Sequence, residues 1–145
     1  MVNNSRIDIY DYLKTLFSSV SENIYSMTVP TDNTTDDTEH GFLVTRVGSI
    51  NDESEFDEQA YGWVRCYVSA YVPKKTRGRL NKDLYKSFED GITDAIKAAT
   101  RTGNTNTYYV IEDKILSLDD DEATVKGNQY HVFIKSFKVA IDQQE

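Results

Sequence analysis

Ala60-Tyr61-Gly62-Trp63-Val64-Arg65-Cys66-Tyr67-Val68-Ser69-Ala70-Tyr71-Val72 splits into two sets of residues when read with a period of two. Val64, Cys66, Val68, Ala70 and Val72 form a small aliphatic face that suits packing against helices. Tyr61, Trp63, Arg65, Tyr67, Ser69 and Tyr71 point the other way, as a broad aromatic face that also wants cover. The stretch reads as a strand with two sides to satisfy, halted by Pro73.

Upstream, Ile9, Leu13, Leu16, Phe17, Val20 and Ile24 recur at spacings of three and four, which predicts a helix from about Ser5 to Glu22, with Ser5 and Asp8 as a capping-box-like start. A short extended piece, Tyr25 to Val29, ends at Pro30, and the polar run Thr31 to His40 has no periodicity and reads as a loop. Phe42 to Ile50 alternates loosely and reads as a strand, followed by an acidic loop, Asn51 to Gln59. Downstream, the basic turn Lys74-Lys75-Thr76-Arg77-Gly78-Arg79 leads into a second helix, about Asn81 to Thr100. There Leu84, Phe88, Ile92, Ala95, Ile96 and Ala99 share a stripe, Asn81 is the N-cap and Gly103 the stop. The remainder reads as a long hairpin, in which Thr107 to Leu118 rises, Asp119-Asp120-Asp121-Glu122 turns, and Ala123 to Asp142 returns with a break near Gly127-Asn128. The expected fold is α+β: an antiparallel or mixed sheet, two amphipathic helices packed on one face, and a long C-terminal β-hairpin. One domain spans residues 1–145, with polar or acidic loops at 30–40 and 51–59.

Composition bounds what such a domain does. Its 145 residues are enough for one real core, and 7 Gly with 2 Pro argue against low-complexity structure. The single cysteine, Cys66, forms no intrachain disulfide, and its place on the aliphatic face argues for packing rather than nucleophilic chemistry. Neither a signal peptide nor an apolar membrane span is legible, so a protein made and kept in the cytosol is expected. His40 and His131 do not stand at a metal-pair spacing, Asp119 to Glu122 lacks the glycine of a calcium loop, and no catalytic motif is found, so neither enzyme activity nor a cofactor is expected. A net charge of −8 disfavours tight non-specific binding of nucleic acid. The acidic residues Asp52, Glu53, Glu55, Asp57 and Glu58 are solvated, or they line a channel for passing DNA or dock a basic partner loop. Lys74, Lys75, Arg77 and Arg79 concentrate positive charge, which suits a phosphate or a neighbour's acidic loop.

The order of elements resembles the tail-terminator (tail completion) proteins of long-tailed bacteriophages. The likeness rests on an N-terminal helix, the strand from Tyr61 to Val72, the Gly-containing basic turn Lys74 to Arg79, the helix Asn81 to Thr100, and the closing strand Tyr130-His131-Val132-Phe133-Ile134-Lys135-Ser136-Phe137-Lys138-Val139. The long acidic stretch from Thr31 to Gln59 departs from the family's pattern. The resemblance implies a homohexameric virion ring in the tail or neck, assembled in the bacterial host cytoplasm. It would cap the tail tube protein and meet a head-side connector protein, with DNA passing through unbound and no membrane involved. On that reading Lys74, Lys75, Arg77, Arg79, Tyr61, Trp63, Tyr67 and Tyr71 are candidate subunit-interface residues, and the basic turn meets the acidic loop of the next copy, because a head-to-tail ring joins two different patches. Another head-tail connector, neck or tail-tube ring protein fits the same physics, and a small host binding or regulatory domain is the alternative outside the virion.

Overall fold

The computed structural model describes residues 6–30, 34–48, 63–99, 107–111 and 115–143. In chain order these form α1 (Arg6–Leu16), β1 (Ile24–Ser26), α2 (Thr35–His40), β2 (Phe42–Val47), β3 (Trp63–Pro73), α3 (Lys82–Ala99), β4 (Thr107–Ile111), β5 (Leu116–Val125) and β6 (Asn128–Gln143), with one turn of 3-10 helix at Thr76–Gly78. The six strands make one mixed sheet in the order β1-β2-β3-β6-β4, and β5 also pairs with β6. β1 runs parallel to β2, and every other pairing is antiparallel. The fold is therefore α+β, with a C-terminal hairpin made by β5 and β6.

β6 organises the sheet because it is long. One of its edges pairs with β3 from Tyr130 to Ala140, while the other pairs with β5 up to Ser136 and then with β4 from Val139. β4 and β5 lie end to end as one interrupted arm of the expected hairpin. The turn itself, however, is Lys126-Gly127, not Asp119 to Glu122. Both residues have positive φ, 49° and 85°, as a two-residue hairpin turn between right-twisted strands demands, and the acidic run holds no glycine to supply that geometry. Asp119 to Glu122 instead lie inside β5, where the register slips between Leu118 and Asp121. Charge and a bulge together protect an exposed edge from pairing with foreign strands.

The aliphatic face of β3 packs as its alternation predicts. Val64, Cys66, Val68, Ala70 and Val72 join Ile9, Leu13 and Phe17 of the first helical region, Phe88, Ile92 and Ile96 of α3, and Phe133, Phe137 and Val139 of β6. Phe17 meets Phe137 edge-on at 6.0 Å between ring centroids. α1 stops at Leu16, six residues short of the expected end. Ser18 donates its hydroxyl hydrogen bond to the Thr15 carbonyl, and such local bonds compete with helix continuation. α3 begins where expected, since the Leu84 N–H donates to Asn81 Oδ1. Gly91, in mid-helix, leaves room for Val20, whose Cγ2 would stand 3.2 Å from an added Cβ. The caps placed at Ser5 and Gly103 lie outside the described residues.

Part of the segment read as a loop is helix. Thr34 accepts from the Asp37 N–H while Asp37 accepts from the Thr34 N–H, a reciprocal capping box that closes α2 over only six residues. A helix this short shows no hydrophobic period, so the alternation that located its neighbours was silent. α2 ends at Gly41, whose φ of 78° and ψ of −177° belong to a region only glycine enters freely, and where a Cβ would stand 2.5 Å from the Tyr71 carbonyl oxygen. Gly41→Ala is expected to cost at least about 1–3 kcal/mol, read as a lowered urea midpoint with unchanged slope.

Candidate functional site

Alternation gives the sheet a second face, and its two ends differ. At one end Phe42, Tyr71 and Tyr130 are buried against one another: Phe42 stacks on Tyr71 at 4.6 Å, and Tyr130 meets both edge-on. Val44, Val125 and Val132 complete this second core, with Tyr25, Val29, Ala123 and Ile134 packed around it. Tyr71, expected at a subunit interface, is thus spent inside its own chain, because its neighbours on β2 and β6 are aromatic as well.

Beneath the aromatic end lies Asp37, fully buried. Its Oδ2 accepts from the Tyr25 hydroxyl at 2.7 Å and from the Thr34 N–H at 3.2 Å. Burial, followed by the hydrogen bond to Asp37, pushes the Tyr25 phenol up to about 12. Burial and the Asp37 charge push Tyr130 up to about 12 as well. This cluster ties α2 and β1 to the sheet.

The other end of the face is open. Register places Arg46, Tyr67, Ser136 and Leu116 side by side across β2, β3, β6 and β5, and Val44, Ser69, Ile134 and Leu118 in the next row. Small residues in mid-row and large ones around them leave a groove of about 370 Å³, walled by Tyr67, Tyr71, Ile134 and Leu118, with Arg46 and Asp121 on its rim. Leu116 and Leu118 stay 39% and 42% exposed, which marks the apolar surface as continuing to the sheet edge. Among the described residues no helix covers these rows. Tyr67, an expected interface residue, lines the groove; Trp63 opens β3 opposite Ala140. Tyr61 and the acidic residues Asp52, Glu53, Glu55, Asp57 and Glu58 lie outside the described residues.

The basic turn folds against the hairpin tip around a second depression of about 480 Å³, lined by Thr38, Lys74, Lys75, Arg77, Gln129 and Tyr130 among others. Arg77 and Gly78 both take positive φ there. Lys74 is not available to a partner: it is 13% exposed and bonded to Glu122 of β5, whose carboxyl is held below its ordinary value by that hydrogen bond and by the lysine charge. Lys75, Arg77 and Arg79 remain exposed. The acidic run is likewise partly committed inward, since Asp120 accepts from the Tyr85 hydroxyl of α3 at 2.8 Å. Lys135, nearly buried on the helix side, bonds Glu89 at 3.0 Å and Ser117 at 2.6 Å and so fastens α3 to β5 and β6.

His40 ends α2 and His131 lies within β6, remote in sequence and in different elements. Among the described residues no group of three His, Cys, Asp or Glu side chains could hold a metal ion, and no helix is long and apolar enough to cross a membrane. Sequence reading overlooked Arg46, although one signal was present: it shares the alternating face of Phe42 and Val44 and is the only charge on that strand. Compared with known proteins, the chain matches no family model and no curated sequence.

The phenols give a pH signature. A pKa raised from 10.0 to about 12 in the folded state means that stability is complete below pH 10 and drains as pH rises towards 12. Tyr25→Phe is expected to remove its share of that alkaline loss. At neutral pH it should cost about 1–3 kcal/mol, because buried Asp37 loses a donor; urea unfolding across pH 7 to 12 reads both effects.

Proposed function

We propose that this chain is a virion structural subunit that works by binding copies of itself and neighbouring proteins: a tail terminator that closes into a homohexameric ring on the tail tube and meets the head-side connector. The observation that carries the reading is the part of the second sheet face that no described helix covers, where Tyr67, Ile134 and Leu118 line a groove together with Arg46, Asp121 and Glu122, and Leu116 extends the apolar surface beside it. Apolar surface with aromatic anchors and polar rims is what a protein interface uses. The charge of −8 supports a ring through which DNA slides without sticking.

The protected β5 edge sharpens the reading. Acids and a bulge on that edge discourage strand-to-strand continuation, so subunits meet through faces and turns. The free part of the basic turn, Lys75, Arg77 and Arg79, is a second contact, towards a neighbour or the tube. Lys74 belongs to the fold and should be left intact in any test.

Purified protein is expected to give a ring mass in size exclusion with light scattering, and to label the head-proximal end of tails in electron microscopy. Label elsewhere on the particle would favour another connector, neck or tube ring, and a monomer or dimer that ignores tails would overturn the proposal. Tyr67→Ala with Leu118→Ser is expected to shift the ring towards single chains while far-UV circular dichroism stays unchanged, since both side chains are partly exposed.

A further inference from the structure

Among the described residues three large apolar side chains stay exposed: Met27 at 52%, Leu116 at 39% and Leu118 at 42%. They stand at opposite margins of the sheet. Leu116 and Leu118 lie on β5, whereas Met27 directly follows β1 and donates its N–H to the Thr45 carbonyl of β2 at 2.8 Å. Each apolar group has a charge at its side, and the signs differ. The residue after Thr45 is Arg46, exposed, and the next residue of β5 on the side of Leu118 is Asp121, exposed as well. Arg46 and Asp121 flank the groove from β2 and β5, three strand spacings or roughly 14 Å apart. Asp120 and Glu122 are spent on Tyr85 and Lys74 of their own chain, while Asp121 bonds a neighbouring backbone N–H with one oxygen. The backbone at Met27 is fixed in an uncommon shape. The Thr28 N–H donates to the Ser26 carbonyl at 2.9 Å around a φ of 76° at Met27, the rare left-handed form of the γ-turn. Strained backbone of this kind clusters where a side chain is presented to a partner.

Resting on the ring reading above, we infer that Met27 of one copy seats against Leu116 and Leu118 of the next, with Arg46 beside it facing that copy's Asp121. The two halves of this contact are different patches of one chain. Side by side they join head-to-tail and leave a free margin at each end for another copy, as ring closure requires. Charge complementarity selects the occupant, because the margin with the carboxylate takes the margin with the guanidinium and two like margins repel. The apolar parts fit as well, since an unbranched Met side chain adapts to an irregular groove such as this one of about 370 Å³. The turn meets β5 through side chains alone, which suits an edge whose acids and register slip discourage strand pairing.

A charge swap tests the assignment. Arg46→Glu and Asp121→Arg, made in separate chains, are each expected to lose the ring mass in light scattering, because like charges then meet. An equimolar mixture is expected to regain it as an alternating ring, since each variant offers the charge the other now needs. Rings from either variant alone would overturn the inference. So would a mixture that stays apart, even where both changes in one chain restore assembly, because that result marks a pair within the chain. A second measurement keeps the question answerable should a charge variant misfold. A short bismaleimide is expected to join Met27→Cys chains to Leu118→Cys chains in a mixture and to join neither variant to itself; the native Cys66 is buried and stays silent. Same-variant pairs, or no crosslink, would refute the contact. If wild-type chains show neither rings nor tail binding, the ring reading fails by itself, whereas normal wild-type rings without the mixed crosslink fail this contact alone.

Discussion

Side chains of a strand alternate, so a sheet has two faces, and the two long helices of this chain cover only one of them. α1 and α3 both lie on the side of Val64, Cys66, Val68, Ala70 and Val72. Everything on the opposite side must find other cover. The chain solves this at one end with aromatic stacking, by placing Phe42, Tyr71 and Tyr130 in adjacent strands and closing them with Tyr25 and Val29. At the other end the solution stops, and the surface passes from buried Val132 to partly exposed Ile134 and Leu118 within one strand spacing. The boundary between buried core and exposed face is thus drawn inside β6 by the choice of side chain at every second residue.

The polar contacts serve the same division. Asp37 sits under the aromatic end, where its hydrogen bonds from Tyr25 and Thr34 lock the short α2 in place. Lys135 and Tyr85 tie α3 to β5, and Lys74 ties the basic turn to the same strand through Glu122. β5 carries an unusual density of acids for a strand, and these contacts explain part of it: two of its carboxylates are anchors to elements behind the sheet. Their other effect is on the free edge, where repulsion and an irregular register discourage pairing with foreign strands.

The sheet's two-sidedness was legible because period two is a strong signal over the long, well-sorted run of β3, and the helix stripes were legible for the same reason. What was missed lacks periodicity or depends on pairing. α2 is too short to show a stripe, although Thr34 and Asp37 stand at the capping-box spacing with Asp in place of Glu. The hairpin tip was misplaced because acids are common in turns, whereas the decisive property was positive φ at Lys126 and Gly127. Of the expected interface residues, Tyr67 lines the open groove, whereas Tyr71 shares its alternation and is buried. The difference lies in its cross-strand neighbours, Phe42 and Val132, which a linear sequence does not reveal. Arg46 was passed over for the same reason, since the register that sets it beside Tyr67, one row from Arg65 and Lys138, is not visible in a linear sequence.

Self-assembly of the kind proposed sets an acidic chain a general difficulty, because copies with a net charge of −8 repel. Spreading the few cations evenly would soften the repulsion without choosing an orientation. Here Arg46, Arg65 and Lys138 share one face beside a groove whose lining also holds Asp121 and Glu122, so that end of the sheet presents both signs of charge next to apolar surface. The local cost is the repulsion of like charges across β3 and β6, where Arg65 stands opposite Lys138. The rest of the chain carries net negative charge, which disfavours non-specific binding of polyanions.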